Sequence, residues 1–148
     1  GGHLSLQHDA TLTDKGTILI FDNGLFRNVP RPALLSGLGE VDPVTNKVVW
    51  IYTGGPSVLE KAQFASSIMS GAQRLPNGNT LITLSMMNTL LEVTPDGDIV
   101  WKYTDDFRDK QNRMRVMFKV RKYDPMGTQW GEKISRLNNP LSSVCRAR

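Results

Sequence analysis

The chain has 148 residues, 39% of them hydrophobic and 22% charged, with a formal net charge of +4. That balance is too apolar for a disordered chain, and it lacks the run of about 18 apolar residues that would make a membrane-spanning helix. One cysteine, Cys145, excludes an internal disulfide, and two histidines without carboxylates at ligand spacing give no reason to assign a metal.

In chain order, GGHLSLQH offers neither the basic flank nor the apolar stretch of a signal peptide. Residues 8–13 read as a strand, Asp14-Lys15-Gly16 as a turn, and residues 17–22 as a second strand. A loop from Asn23 to Gly37, with Pro30 and Pro32, precedes a third strand at 38–41. A Thr45-Asn46 turn then leads to a fourth strand at 47–52. The order starts again at residue 70: strands at 71–75, 80–85, 90–93 and 99–103, punctuated by Pro76-Asn77-Gly78-Asn79 and Pro95-Asp96-Gly97. Alternation within the last strand places Trp101 and Ile99 on one face and Val100 on the other.

The two units repeat. Gly16-Thr17-Ile18-Leu19-Ile20 answers Gly78-Asn79-Thr80-Leu81-Ile82, and Glu40-Val41-Asp42-Pro43 with Trp50 and Tyr52 answers Glu92-Val93-Thr94-Pro95 with Trp101 and Tyr103. Short strands and tight turns at a period of about 50 residues are the pattern of β-propeller blades. The expected fold is all-β, a partial β-propeller with one blade over 8–53 and a second over 70–104. Each sheet buries its apolar face by stacking on the next, so Trp50 and Trp101 are expected at equivalent buried positions. Met69, Met86 and Met87 are expected as core filler.

After Tyr103 the pattern changes. Residues 113–121 alternate as a further strand, with Met114, Val116, Phe118 and Val120 on one side and Arg113, Arg115, Lys119 and Arg121 on the other. It would open a third blade or return into a closing one. Its charges are expected to stay solvated or to meet an acidic partner, and with Phe118 the only aromatic among them nucleic acid is disfavoured. Residues 127–148 read as an irregular tail.

Phosphate-binding loops, His-Glu-x-x-His, Cys-x-x-Cys and Gly-x-Ser-x-Gly are all absent from the sequence. The block Gln7-His8-Asp9-Ala10, then Gly16 and Phe21-Asp22-Asn23-Gly24, resembles the aryl-sulfate sulfotransferase family of propellers. Residues 70–82, Leu91-Glu92-Val93-Thr94-Pro95-Asp96-Gly97 with Val100-Trp101, and Asn112-Arg113 leading to Tyr123-Asp124-Pro125 extend the likeness over about residues 7–126. The resemblance implies a C-terminal segment of a six-bladed enzyme that moves a sulfuryl group from a phenolic sulfate ester to a phenol. No nucleotide donor or redox cofactor is implied, and the bacterial enzymes' setting is periplasmic or extracellular.

The family's catalytic histidine would be His8, with one ring nitrogen fixed by a hydrogen bond and the other facing the sulfur. Asn23 and Arg27 are candidates to bind the sulfuryl oxygens, by sequence proximity, although Asp22-Asn23-Gly24 is also a good turn. Where the family commonly has arginine after serine, this chain has Ser36-Gly37. Two blades do not close a ring, so missing blades or a protein partner are expected, and the chain alone is expected to be inactive. The competing expectation is a non-catalytic structural subunit of a larger assembly.

Overall fold

A computed structural model describes residues 4–25, 36–106, 108–113 and 116–123. Alternating aliphatic stretches form eight strands: β1 (Gln7–Leu12), β2 (Ile18–Asp22), β3 (Gly37–Asp42), β4 (Lys47–Tyr52), β5 (Gly71–Arg74), β6 (Thr80–Leu84), β7 (Thr89–Val93) and β8 (Ile99–Thr104). They build two four-stranded antiparallel meanders in chain order, here called sheet A (β1 to β4) and sheet B (β5 to β8). The fold is nearly all β, and each sheet is blade-like.

One turn type recurs because the same glycine recurs. Thr13, Leu75 and Thr94 each accept from the glycine three residues on and donate to the carbonyl four residues on, at 2.8–3.0 Å. Gly16, Gly78 and Gly97 stand at φ 77°, 87° and 96°, where a Cβ would be strained.

Sheet A presents Leu19, Phe21, Leu38, Glu40, Trp50 and Tyr52 on one face, its front, since cross-strand partners share a face. Onto that front packs the back of sheet B, with Ala72, Ile82, Leu84, Leu91 and Val93, in one hydrophobic cluster. Bulges opposite Glu40/Val41 and Glu92/Val93 insert Val49 and Val100 as extra residues. The second bulge overturns the simple alternation expected for β8: Ile99 stands opposite Val93 and Trp101 opposite Glu92, so the two lie on different faces.

The link between the sheets carries α1 (Val58–Gln63), an element the repeat pattern does not assign. Ser57 and Glu60 close a reciprocal capping box at its start. Just beyond it, Phe64 is buried against Phe21 and Tyr52, with ring centroids 6.0 and 5.2 Å away. The helix thus delivers an aromatic plug to the seam between the sheets.

Two further expectations are corrected. Trp50 and Trp101 do occupy equivalent register positions, opposite Glu40 and Glu92. Trp50 is packed against the core, whereas Trp101 is 47% exposed, because sheet B covers the first and no sheet among the described residues covers the second. Met86 and Met87 are exposed at the β6–β7 turn and fill no core.

Among described residues, 113 and 116–123 make no strand ladder. Val116 and Phe118, expected on one side of that strand, are exposed, while Lys119, Arg121 and Lys122 turn to Asp9 and Glu92. A buried carboxylate holds a cation more firmly than a half-built apolar face holds a side chain. Arg27, Pro30, Pro32, His3 and the tail from residue 124 lie outside the described residues.

Candidate functional site

β1 has one sheet neighbour, β2, and pairs His8 with Phe21. That register turns the partly buried His8 to the front of sheet A. Its Nδ1 lies 2.6 Å from Asn23 Oδ1. Asn23 follows β2 directly and has no solvent exposure. Its Nδ2 donates to Ser66 O at 2.5 Å and Met69 O at 3.0 Å.

This bonding fixes the chemistry of the ring. With Nδ2 committed to two carbonyls, Oδ1 must face the imidazole, and an amide oxygen only accepts. Nδ1 therefore carries the proton of the neutral ring, and Nε2 keeps its lone pair. Nε2 has no hydrogen-bond partner among the described residues. Asn23 acts here as the holder of His8: its amide N–H groups are taken by the 66–69 link and are not turned to a ligand. The turn expected at Asp22-Asn23-Gly24 is also present, with Gly24 N donating to Asp22 Oδ1 at 3.1 Å.

Serines tie this pair into the seam. Ser36 Oγ accepts from Ser66 N at 2.8 Å and lies 2.9 and 3.1 Å from the Ser66 and Asn23 carbonyls. Ser66 Oγ accepts from Ser70 Oγ at 2.8 Å and from Met86 N at 3.2 Å. Ser70 and Ser85 then bond reciprocally, each hydroxyl accepting from the other's backbone N–H, at 2.8 and 3.0 Å. A cavity of about 190 Å³ opens beside the network, lined by Asn23, Ser36, Ala65, Ser67, Met86 and Met87.

Next to His8, a bulge between His8 and Thr11 puts Asp9 at φ 54°. A non-glycine residue is uncommon there, and bulges serve to re-aim a side chain. The Asp9 carboxylate reaches across to β5, accepting from Ala72 N at 3.2 Å. Arg121 Nη2 lies 2.7 Å from both its oxygens, and Lys119 forms an ion pair with it. Gly71 makes the approach possible: a Cβ there would stand 2.2 Å from Asp9 Oδ2.

Sequence reasoning puts His8 at the start of the first strand and Asn23 just after the second, and gives no contact between them. It assigns no role to Asp9, Ser36, Ser66 or Arg121. For Asp9 the adjacency to His8 is a usable signal; Ser66 meets Asn23 across 43 residues and leaves none. Gly37, where the resembled family has arginine, sits with its Cβ position 3.3 Å from Tyr52 O, so a side chain there would crowd β4. Arg27 lies outside the described residues.

No family model and no curated protein matches the chain. A crystal structure of a protein of unknown function from Bacteroides caccae is similar at 15% identity and a TM-score of 0.43. The similarity covers 66% of this chain and 31% of that one, so the chain spans under a third of its length. A likeness of that depth says nothing about chemistry.

Proposed function

We propose that His8 is the nucleophile of a sulfuryl-transfer site, in a propeller segment resembling the aryl-sulfate sulfotransferases. One observation carries the reading: Asn23, itself locked by two carbonyls, holds Nδ1 and leaves Nε2 free. A neutral imidazole so oriented is a nucleophile near pH 7.

Nε2 would attack the sulfur of a phenolic sulfate ester, forming an N–S bond as the S–O(aryl) bond breaks. The leaving phenolate takes a proton from solvent. The resulting imidazolium keeps Nδ1–H on Asn23 Oδ1, which spreads its positive charge. An acceptor phenol, losing its proton, then attacks the sulfur, and the imidazole returns to its starting state. Arg27 is the proposed cation for the sulfuryl oxygens. Further sheets are needed to enclose the site, so the reaction belongs to the assembled protein.

The test is turnover of 4-nitrophenyl sulfate by that protein. Nitrophenol should appear in quantity only when a second phenol is present, and His8 should gain one SO3 unit by mass spectrometry when it is not. His8→Ala should abolish both signals and His3→Ala neither. Unchanged turnover in His8→Ala would end the proposal.

A further inference from the structure

β1 carries one residue more than its partner needs. His8 stands opposite Phe21 and Thr11 opposite Leu19, so Asp9 and Ala10 together face the single residue Ile20. β5, the equivalent strand of sheet B, pairs with β6 in unbroken register from Gly71 opposite Thr83 to Arg74 opposite Thr80. The meander therefore does not require the bulge, and the sheet that has it is the one with the histidine.

That extra residue decides where His8 points. With Thr11 kept opposite Leu19 and the bulge taken out, Ala10 falls opposite Ile20, Asp9 opposite Phe21 and His8 opposite Asp22. A one-residue slip moves each side chain to the other face. Phe21 lies on the front of sheet A and Asp22 on its back, so the imidazole would leave Asn23 and Asp9 would take its place.

The bulge-free register competes because the bulge holds Asp9 at φ 54°, which a non-glycine residue seldom adopts. What opposes it is the Asp9 side chain. Its carboxylate is only 6% exposed and is shared by Ala72 N, Lys119 Nζ and Arg121 Nη2. Arg121 also donates from Nη1 to Ala72 O at 2.9 Å, so one guanidinium spans the carboxylate and the β5 backbone. Moving Asp9 by one register position, about 3.3 Å along the strand, takes the carboxylate out of hydrogen-bond reach of these partners. Breaking a charge cluster so far removed from water is costly.

We propose that Asp9 and Arg121 are positioning residues for His8: their ion pair, anchored on β5, pins the β1 bulge and so keeps the imidazole on the front of sheet A against Asn23. Arg121, 112 positions from Asp9 in the chain, thereby controls a ring it does not bond. The inference rests on the reading of His8 as the reacting group, but it is tested on the ring itself, so it and the sulfuryl-transfer reading can fail separately.

The measurement is made on the 15N-labelled full-length chain near neutral pH, reading the His8 tautomer and the cross-strand nuclear Overhauser contacts of β1. Asp9→Ala and Arg121→Met should each lower the Nδ1–H to Nε2–H ratio of His8 at least about fivefold, the weight of one hydrogen bond. Both should also move the cross-strand contacts of His8 from Phe21 to Asp22. The double variant should do no more than Asp9→Ala alone, as expected for two ends of one interaction. Asp9→Asn, which keeps an acceptor for Ala72 N, and Arg121→Lys, which keeps the charge without the fork, give the same reading at a smaller cost in stability and should retain part of the native ratio. Lys122→Met frees the same segment from Glu92 without touching Asp9 and should change the ratio less than about twofold. An unchanged tautomer and register in the folded Asp9 and Arg121 variants, with only the urea midpoint lowered, overturns the proposal and leaves the cluster as a tie between the sheets. So does an equal loss in Lys122→Met. Unchanged turnover in His8→Ala would end the sulfuryl-transfer reading while these spectra still decide this one.

Discussion

Sheets A and B follow one plan and differ in two places. Each has the same meander, the same glycine turn after its first strand and the same stacked aromatic pair on its last strand: Trp50 with Tyr52, and Trp101 with Tyr103. The first difference is cover. Tyr52 is 6% exposed and Tyr103 48%, although the residues are equivalent. The second lies at the inner strand. Where sheet A joins His8 to Asn23, sheet B has Gly71 opposite Thr83 and joins Ser70 to Ser85. Whatever stacking demands recurs in both sheets; the histidine does not recur. A serine pair closes the same corner, so the scaffold does not require an imidazole there.

The sharpest way to break the comparison is to truncate the two tryptophans. Trp50 loses core contact, its bond to Pro95 O and the Arg74 guanidinium 4.5 Å above its ring. Trp50→Ala should cost about 3 kcal/mol in urea unfolding, and Trp101→Ala less than about 1 kcal/mol. Equal losses would mean that the second face is covered too.

Asn23→Ala strands the two carbonyls it bridges and the His8 N–H. It should cost about 2–3 kcal/mol, against about 1 kcal/mol for Ser85→Ala, whose partners are fewer. Gly71→Ala should cost about 1–3 kcal/mol by pushing on a carboxylate that three groups hold in place. The companion Gly71→Ala, Asp9→Ala double variant should recover part of that loss if the clash is the cause.

The smallest effect is with acid. Burial opposes the Glu40 charge, but hydrogen bonds from Thr17 and Arg74 and the charges of Arg74 and Lys15 outweigh it and hold the carboxyl below its usual 4.5. Glu92 is lowered chiefly by Asn79, against burial, with help from Lys122 and Asn77. A folded pKa below the unfolded one contributes stability that is complete above the unfolded value and is lost as pH falls through the folded one. The urea midpoint should therefore drop below about pH 4.5, and Glu40→Gln should flatten part of that drop.

Local chemistry made the strands legible in the sequence. Period-2 alternation and Gly, Asn and Pro at the turns locate all eight to within about a residue or two. The bulge in β8 was hidden, because one extra residue in a run of apolar side chains leaves the composition unchanged. The helix at 58–63 was hidden too, since its value lies in delivering Phe64 to a seam that forms only when both sheets are present. At the site, His8 was singled out through a resemblance and Asn23 by its place after the second strand, while the bond between them and the Asn23–Ser66–Ser36 network, with contacts of 30 or more residues, are encoded in no local pattern. Of the strand expected at 113–121, the described residues 113 and 116–121 make no ladder: their backbone bonds run to side chains and turns instead of to a neighbouring strand.

The most direct test of the account is the protonation state of one ring. Long-range 1H–15N correlation spectra of the 15N-labelled protein near pH 7.5 distinguish the two neutral tautomers of histidine. The His8 resonances, assigned by their loss in His8→Ala, should report Nδ1 protonated and Nε2 bare. Asn23→Ala should shift the ring toward the Nε2–H form that free imidazole side chains favour. A ring already protonated at Nε2 in the native protein would contradict the account, because the lone pair would then point at Asn23 and no nucleophile would face the open side.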